Sequence, residues 1–314
     1  MVKKEIIQPN PVTMARYQYN VFEKRIMYQV IGQLQREMRG EIKIDTSLFG
    51  DRYFVIPFGL IDPDKKNHYK VRQAFQSLQD KKISIGYDKE GNGFEGRFIN
   101  WGNLEKGTVT LSLPPAIMPA LTELATGFTA YSSVVVMALQ STYSMRFYEW
   151  LSRFRDTGKW YTTPDDLREM LALTEHKAYH NYNLFKQKAI DVAQKELQDL
   201  YNIGQSDIYF TYEEKRSGRG RGGQVHELIF TIFWAEKGKL ADTAKTEDYY
   251  YVAHFLKTHF QAKTNDSKQY TEKVLAKIIE MDATRRAAEI AEKAKAKENP
   301  AAYFRAVIKQ ELGM

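Results

Sequence analysis

The chain contains no cysteine. A disulfide, a thiolate zinc site, an iron–sulfur cluster and a cysteine nucleophile are therefore excluded, and any metal would need histidine and carboxylate ligands. Long apolar runs are also missing. The longest, Val134–Leu139, is far shorter than the roughly 18–20 residues that a transmembrane helix needs, and Met1–Ile6 lack the apolar core of a signal peptide. These absences predict a cytoplasmic protein that does not associate with membranes.

The excess of positive charge is small. The 314 residues include 46 Lys and Arg against 39 Asp and Glu, a net charge of +7. This length predicts two or three domains, each able to bury its own core. The charge is compatible with a polyanionic partner such as nucleic acid, but many enzymes carry as much. The positions of the cations must therefore decide between these alternatives.

Apolar periodicity and turn residues predict an alternation of helices and short strands in the first half of the chain. In chain order, the predicted elements are an extended arm at 1–12, a helix at Tyr19–Met38, a short strand at Ile42–Ile44, a turn and short helix at Phe54–Ile61, a helix at Asn67–Asp80, and strands of one small antiparallel sheet at Ile83–Ile85, Phe94–Trp101 and Thr108–Leu113.

The second half repeats this order of elements. The predicted elements are a long helix at Ser133–Phe154, a short helix at Pro164–Leu171, a long helix at Ala178–Tyr201 and a hairpin of Ile208–Tyr212 with Val225–Phe233. This is the order of a winged helix, in which a helix-turn-helix precedes a β-hairpin. We predict an α+β fold with an N-terminal arm (1–12), two tandem winged-helix domains (13–127 and 128–240) and a helical C-terminal extension (241–314).

The predicted helix at Ala178–Tyr201 has a polar outward face. Its period turns Tyr182, Phe185 and Ala189 inward. The outward and flanking residues are Lys177, His180, Asn181, Asn183, Leu184, Gln187, Lys188 and Asp191. Lys, Asn and Gln near a helix N-terminus are typical of contacts to phosphates and base edges, although any one of them also fits an ordinary solvated face.

A basic, glycine-rich loop follows in the predicted hairpin. Its cations are Lys215, Arg216, Arg219 and Arg221, and glycines such as Gly218 leave the backbone free to approach phosphates. The alternative is a solvated hairpin tip. The corresponding helix face in the first domain comprises Lys66, Tyr69, Lys70, Arg72 and Gln73. It is the weaker candidate, because the loop after it is acidic.

No cofactor site is predicted. The segments Gly91–Gly96 and Gly218–Gly223 both fit G-x-G-x-x-G, but each lies between predicted strands rather than between a strand and a helix, and no P-loop motif occurs. His176 and His180 lack a third ligand at a characteristic spacing, so we also predict no metal site. Asp165 and Asp166 are explained by helix capping.

Several segments together resemble the plasmid replication initiators of the two-winged-helix type (the Rep_3 superfamily), from about Thr13 to Phe233. The most specific segments are Tyr143–Leu151; Tyr179, Tyr182, Asn183, Phe185 and Lys186; and the stretch with Asp207, Ile208, Phe210, Tyr212, Lys215, Gly218, Arg219, Val225, Leu228, Phe230 and Ile232. Asn67, Tyr69, Lys70, Phe75 and Leu78 agree, as do Phe128, Thr129 and Tyr131.

The resemblance implies that the second winged helix binds repeated origin sites, called iterons, through the major groove of double-stranded DNA. Residue by residue, it implies DNA contacts by Tyr179, Asn183, Lys186, Lys215, Gly218 and Arg219. The first winged helix would bind adjoining DNA or supply a dimer interface. Monomers would open the origin and recruit the host initiator and the replicative helicase, and homodimers would repress the protein's own promoter.

Three points stay open at this stage. The family's wing is a compact Lys-x-Gly-Arg turn, whereas this wing extends over Gly218–Gly223, so either Arg219 or Arg221 fits the wing contact. The ending Asn299–Lys309 is similar to a motif found at the ends of replication-initiation and helicase-loading proteins, which indicates a partner contact or a helical staple. The function is the third open point. We predict a non-enzymatic replication initiator, and the alternatives are a dimeric transcriptional repressor and, less favoured, a nickase.

Overall fold

The structure is a computed structural model. It describes residues 5–62, 67–86, 93–125, 127–218, 223–235, 251–252, 255–256, 258–260, 270, 273–275, 277–278, 281 and 283–312. Residues 5–62, 67–86, 93–125, 127–201 and 208–218, with 223–234, fall into one compact unit, and the C-terminal helices belong to a second unit.

The first half contains short strands that alternate with helices. In chain order these are β1 (Glu5–Pro9), α1 (Asn10–Thr13), α2 (Val21–Met38), β2 (Arg52–Pro57), α3 (Phe58–Ile61), α4 (His68–Asp80), β3 (Lys82–Ile85), β4 (Phe94–Arg97), β5 (Trp101–Glu105), β6 (Thr108–Leu113) and α5 (Met118–Thr122).

The second half of the first unit and the C-terminal region follow. Their elements are β7 (Phe128–Ser132), α6 (Ser133–Ala138), α7 (Thr142–Phe154), β8 (Lys159–Thr162), α8 (Pro164–Met170), α9 (Lys177–His180), α10 (Tyr182–Phe185), a π-helical turn (Lys186–Ile190), α11 (Asp191–Asn202), β9 (Ile208–Arg216), β10 (Val225–Trp234), α12 (Thr284–Lys295) and α13 (Pro300–Leu312).

All described strand pairs are antiparallel. In the first domain, β2, β6 and β5 form one sheet in that order, and β3 pairs with β4 in a second sheet. The single sheet predicted there is therefore wrong. In the second domain the sheet order is β8-β10-β9, so the hairpin gains a third strand that sequence periodicity did not show.

The predicted N-terminal arm is extended only in part. Glu5–Pro9 form β1, which pairs with β7, and Asn10–Thr13 turn into a short helix. Ile6 and Gln8 are buried in this pairing, and Gln8 Nε2 donates to Thr13 Oγ1 at 3.0 Å. The segment is therefore packed into the fold, because its alternate side chains meet the residues of β7.

Two other predicted elements differ in the structure. No strand forms at Ile42–Ile44; the sheet begins with β2, and the extended half of the predicted turn at Phe54–Ile61 belongs to it. The predicted helix at Ser133–Phe154 is two helices, because Leu139 is extended (ψ 137°) and Ser141 caps α7 by accepting from the Ser144 amide. Both halves carry apolar residues at helical spacing, so periodicity alone did not reveal the break.

Helix α7 lies at the centre of the second domain's core. Phe147 and Trp150 are fully buried, and Phe147 stacks on Phe210 of β9 with ring centroids 5.3 Å apart. Trp160 of β8 and Phe230 of β10 complete this aromatic cluster. Aromatic pairs of this geometry add to the stability that area burial provides. The cluster fixes α7 against all three strands of the sheet.

A buried polar network joins α7 to the first domain. Glu149 of α7 accepts from Lys24 Nζ of α2 at 2.5 Å and from Arg146 Nη1 at 2.8 Å, and Tyr28 Oη donates to it at 2.9 Å. Tyr17 Oη accepts from Lys24 and from Arg146. Lys24 and Glu149 are fully buried, so each charge depends on the other for compensation.

Burial lowers the pKa of Lys24 to about 8, although Glu149 acts in the opposite direction. Between that value and the ordinary 10.5, the unfolded chain binds more protons at this lysine than the native state does. The contribution of Lys24 to stability therefore increases as the pH rises through this window, and is least favourable below it.

The second unit contains a helical pair. Arg286 of α12 donates to both carboxylate oxygens of Glu311 on α13, at 2.8 and 2.6 Å. Asn299 Oδ1 accepts from the Ala302 amide at the start of α13. Phe304 and Ile308 of the predicted terminal motif are buried. Much of 236–282 lies outside the described residues, so the helical extension over the whole of 241–314 stays a prediction.

No helix in the described part of the chain is both long enough and apolar enough to span a bilayer.

We predict that Glu149→Gln destabilises the first unit by about 3–5 kcal/mol, because the buried Lys24 and Arg146 lose their counter-charge. Urea unfolding followed by circular dichroism measures this change. Asp199→Asn is the control, since Asp199 pairs with Lys195 on the exposed surface and should leave the unfolding midpoint unchanged. An equally small effect of Glu149→Gln would contradict the assigned role of the network.

Candidate nucleic-acid interface

The second winged helix begins with a capped helix. Thr163 Oγ1 accepts from the Asp166 amide at 3.0 Å, and the Asp166 carboxylate accepts in return from the Thr163 amide. Pro164 occupies the first helical position. This capping box confirms that the acidic pair at the start of α8 has a structural explanation.

The long helix predicted at Ala178–Tyr201 is interrupted. Asn181 is extended (φ −71°, ψ 111°) between α9 and α10, and its Oδ1 accepts from the Leu184 amide at 3.1 Å. Asparagine favours this arrangement because its short amide caps a helix start. The recognition segment, residues 177–190, therefore begins with one helical turn, breaks at Asn181 and resumes at Tyr182.

A π-helical turn at Lys186–Ile190 changes which residues of the segment and of the following helix are buried. Phe185 and Ala189 are buried, as periodicity predicts, whereas Tyr182 is only half-buried. Val192 continues the same apolar spacing but is 38% exposed, and Ile190 is buried instead. The wider turn shifts the helical register, which explains the change.

The predicted polar face is largely exposed. The exposed residues are Lys177, His180, Asn181, Asn183, Gln187 and Lys188. Leu184 and Asp191 were predicted to point outward, but both are half-buried. Asp191 accepts a hydrogen bond from Tyr212 Oη at 2.6 Å, which draws it towards the sheet.

Two further candidates are half-buried and have partners within the protein. Tyr179 Oη lies 3.0 Å from Tyr143 Oη of α7. Lys186 Nζ lies 2.7 Å from Glu214 Oε1 of β9. Burial, the hydrogen bond to Tyr179 and the electrostatic interaction with Tyr179 raise the pKa of Tyr143 above its ordinary value, so the Tyr143 hydroxyl keeps its proton at physiological pH.

Arg168 of α8 contacts the recognition segment on both sides of its break. Sequence patterns did not show this role. Its Nε donates to the Tyr179 carbonyl at 2.8 Å, and its Nη1 pairs with Asp165 at 2.6 Å. The guanidinium also lies over the Phe185 ring, 5.0 Å from the centroid. One side chain of α8 therefore fixes both α9 and α10, on either side of the break.

The wing strands are longer than predicted. Lys215 and Arg216 belong to β9 rather than to the loop, because the pairing with β10 continues to Val225. Gly218 has φ +96°, a conformation that favours glycine, at the start of the turn. Arg219 and Arg221 lie outside the described residues, so the question of which one contacts DNA stays open.

The described wing cations are paired with carboxylates. Lys215 lies 2.6 Å from Glu227, directly across the hairpin, and Arg216 lies 2.5 Å from Glu214. Burial alone would raise the pKa of Glu214, but the hydrogen bonds from Lys186 and Arg216 outweigh it and lower that pKa. Glu214 is therefore an ionised carboxylate between the recognition segment and the wing.

A cleft of about 530 Å³ separates the recognition segment from the base of the wing. Its polar lining residues include Arg168, His180, Asn183, Arg216 and Gln224. It is a polar, half-open space rather than an enclosed apolar pocket.

The corresponding face of the first domain lies on α4. Tyr69, Lys70, Arg72 and Gln73 are all exposed, as predicted. Lys66 lies outside the described residues. The opposite face of α4, with Val71, Ala74, Phe75 and Leu78, is buried.

The histidine pair makes separate contacts. His176 Nε2 lies 3.3 Å from Gln18 Oε1, and His180 Nε2 lies 2.8 Å from the Thr174 carbonyl. Within the described residues, no group of three His, Asp or Glu is placed to hold a metal ion. The first G-x-G-x-x-G segment runs into β4, which pairs with β3, and the second lies between the paired strands β9 and β10; neither stands between a strand and a helix, as a dinucleotide site requires.

We predict that Asn181→Ala lowers the free energy of unfolding by about 1 kcal/mol, because α10 loses its N-cap, whereas Asn181→Ser retains a cap and costs less. Thermal and urea unfolding of the two variants measure the difference. Equal stabilities of the alanine and serine variants would contradict the capping role.

The comparison with protein families agrees with this geometry. A family model described as "Initiator Replication protein, WH1" matches residues 5–152, and a model described as "Initiator Rep protein, WH2" matches residues 163–232. The two matches together span more than two thirds of the chain. The second contains the capped helix, the recognition segment and the wing. The chain therefore belongs to the family of DNA-binding replication initiators built from two winged-helix domains.

Proposed function

We propose that this protein is a sequence-specific initiator that binds the iterons of a plasmid origin through its second winged helix. The observation that carries the proposal is the exposed polar face of the recognition segment, next to a basic wing. Asn183, Gln187 and Lys188 of this segment are all exposed. A helix presenting such residues enters the major groove in winged-helix proteins, while the wing lies against the backbone.

The exposed residues divide by chemistry into two roles. Asn183 and Gln187 carry amides, which form bidentate pairs with adenine. Lys177, Lys188 and the wing cations supply charge to phosphates, which positions the protein without reading sequence. The first winged helix would add contacts to adjoining DNA through Tyr69, Lys70, Arg72 and Gln73 of α4, all of which are exposed.

We predict that Asn183→Ala and Gln187→Ala each relax the preference at one position of the iteron, by about 1–3 kcal/mol for a good pair. Titration of each variant against single-base variants of the iteron measures this. Lys188→Ala is the control: it should weaken binding to all sequences alike and flatten the salt slope by about one unit. Uniform weakening by Asn183→Ala or Gln187→Ala would contradict the base-reading role.

Replication initiation requires more than DNA binding. We propose that the monomer distorts and opens an AT-rich segment beside the iterons and recruits the host initiator and the replicative helicase, without catalysing a covalent reaction itself. The second unit, with the Arg286–Glu311 pair between α12 and α13, is the part of the chain that we assign to partner recruitment.

We further propose that a homodimer represses the protein's own promoter and forms through an apolar surface of the first domain. Leu48 and Phe49 are 102% and 88% exposed. They lie at the tip of a turn closed by the Ser47 amide, which donates to the Asp51 carbonyl at 2.8 Å. Contiguous exposed apolar patches mark interaction sites.

A sheet face continues this surface. Asn100 Nδ2 donates to Asp51 Oδ1 at 2.9 Å, which places the turn beside the start of β5. There Trp101 is 50% exposed and packs edge-on against Tyr53 of β2. Aromatic residues of this kind are enriched in protein interfaces.

We predict that replacing Leu48 and Phe49 together with serine weakens self-association by about tenfold or more, since exposed apolar anchors of this size supply one to two kcal/mol each. Sedimentation velocity over a concentration series measures the dimer fraction. Tyr161→Ser is the control, because Tyr161 is 56% exposed in the second domain. Equal dissociation constants for the double variant and the control would refute the assigned surface.

A dimeric repressor without a replication role is the second candidate function. The DNA that flanks the gene distinguishes the two: tandem repeats of about 20 base pairs, roughly two helical turns, beside an AT-rich tract support the initiator, whereas a single inverted repeat supports the repressor. Incubation with origin DNA and Mg²⁺ or Mn²⁺ tests for strand cleavage, which would contradict a non-enzymatic initiator.

A further inference from the structure

Two cations of the candidate interface are held by one carboxylate. Glu214 Oε1 lies 2.7 Å from Lys186 Nζ, and Glu214 Oε2 lies 2.5 Å from Arg216 Nη2. Lys186 comes from the recognition segment and Arg216 from the wing. Glu214 therefore bridges the two elements that would meet DNA.

The strand register determines this position. Glu214 lies opposite Leu228, which is fully buried, so its side chain is on the inner face of the sheet, towards the recognition segment. The next residue back along the strand, Glu213, lies opposite Ile229 on the outer face and is exposed. Two adjacent glutamates therefore carry the same charge in two different surroundings.

The bridge reduces the charge that DNA meets at this point. Lysine and arginine bind carboxylate and phosphate oxygens by the same charge-assisted hydrogen bonds. With Glu214 in place, the group formed with Lys186 and Arg216 carries one net positive charge rather than two. Phosphate contacts supply essentially all of non-specific DNA affinity, so each cation neutralised inside the protein lowers that affinity.

There is room beside the bridge for a phosphate. Arg216 lines the cleft of about 530 Å³, with His180 and Asn183 of the recognition segment on its wall. Arg216 Nη1 donates to the Gly223 carbonyl at 3.1 Å, so the guanidinium is held at the edge of the cleft while Nη2 holds Glu214. A backbone phosphate that entered here would reach the same cation.

We propose that Glu214 is a specificity-determining residue whose carboxylate occupies, between Lys186 and Arg216, the place of a DNA phosphate. Random DNA supplies the phosphate alone and competes poorly with the carboxylate. Iteron DNA also supplies the contacts to Asn183 and Gln187 and displaces it. This inference rests on the proposed DNA-reading role of the second winged helix and adds a means of rejecting other DNA.

Glu214→Gln tests the proposal, because it keeps the size of the side chain and removes the charge. Binding is measured with a 30-base-pair duplex of random sequence and with the origin fragment that flanks the gene, over a series of salt concentrations. We expect affinity for the random duplex to rise by about tenfold and its salt slope to steepen by about one unit, the effect of one added phosphate contact. Affinity for the origin fragment should rise less, so the ratio of the two falls.

Glu213→Gln is the matched control, with the same change in net charge one residue away on the outer face. It should change the affinity for random DNA by less than about threefold, the effect of a screened surface charge. Glu214→Asp keeps the charge and should stay close to the wild type. Circular dichroism of each variant confirms folding.

Two outcomes overturn the inference while the proposed function stands. Equal gains for Glu214→Gln and Glu213→Gln would show only the effect of total charge. A loss of affinity in Glu214→Gln would show that the carboxylate arranges the cations for binding rather than restraining them. If the wild-type chain binds neither DNA, the proposed function itself fails.

Discussion

The buried carboxylate of Glu149 is the interaction on which the arrangement of the two winged helices depends. This carboxylate accepts hydrogen bonds from Lys24 of α2, from Arg146 of its own helix and from the hydroxyl of Tyr28. Charges taken out of water are tolerated only when their partners are in place. The network around Glu149 therefore fixes the position of α7 relative to α2. On its other side, α7 carries Phe147 and Trp150 into the sheet of the second domain. The helix therefore belongs to both domains, and its position sets that of Tyr143, which touches Tyr179 in the recognition segment.

The described wing cations and Lys186 are each paired with a carboxylate. A net charge of +7 over 314 residues gives little general attraction to DNA. In the described part of the wing, Lys215 and Arg216 each face a carboxylate, and Lys186 shares the same partner as Arg216. These three paired cations offer little free charge to DNA, so in the proposed role shape and base contacts would supply more of the affinity. That balance is consistent with the proposed selection of a few origin repeats from a large excess of other DNA.

Sequence patterns predicted the elements whose faces differ clearly in polarity. The helices Val21–Met38 and His68–Asp80, the capped start at Thr163 and the exposed polar residues of the recognition segment follow from spacing and capping rules. The break at Asn181 and the π-helical turn did not, because apolar residues continue at nearly helical spacing across both. Lys24 and Glu149 resemble surface residues in sequence, since burial of a charge depends on a partner far along the chain. The roles of Arg168 and Glu214 likewise depend on contacts between separate elements, which no local pattern records.

Because α7 packs into both domains, it limits how a DNA site bound by both of them could change. The helix is about 20 Å long and joins both domains through its side chains rather than through a flexible connection. A loose linker would let two DNA-binding modules accept targets at many separations and many angles around the duplex. A helix that packs into both domains removes that freedom, so the two proposed DNA-binding faces would keep one rotational phase. If both modules bind one origin repeat as proposed, the loss or gain of a few base pairs within that repeat would disturb both contacts at once, and the shape of one helix would limit the length of the repeat.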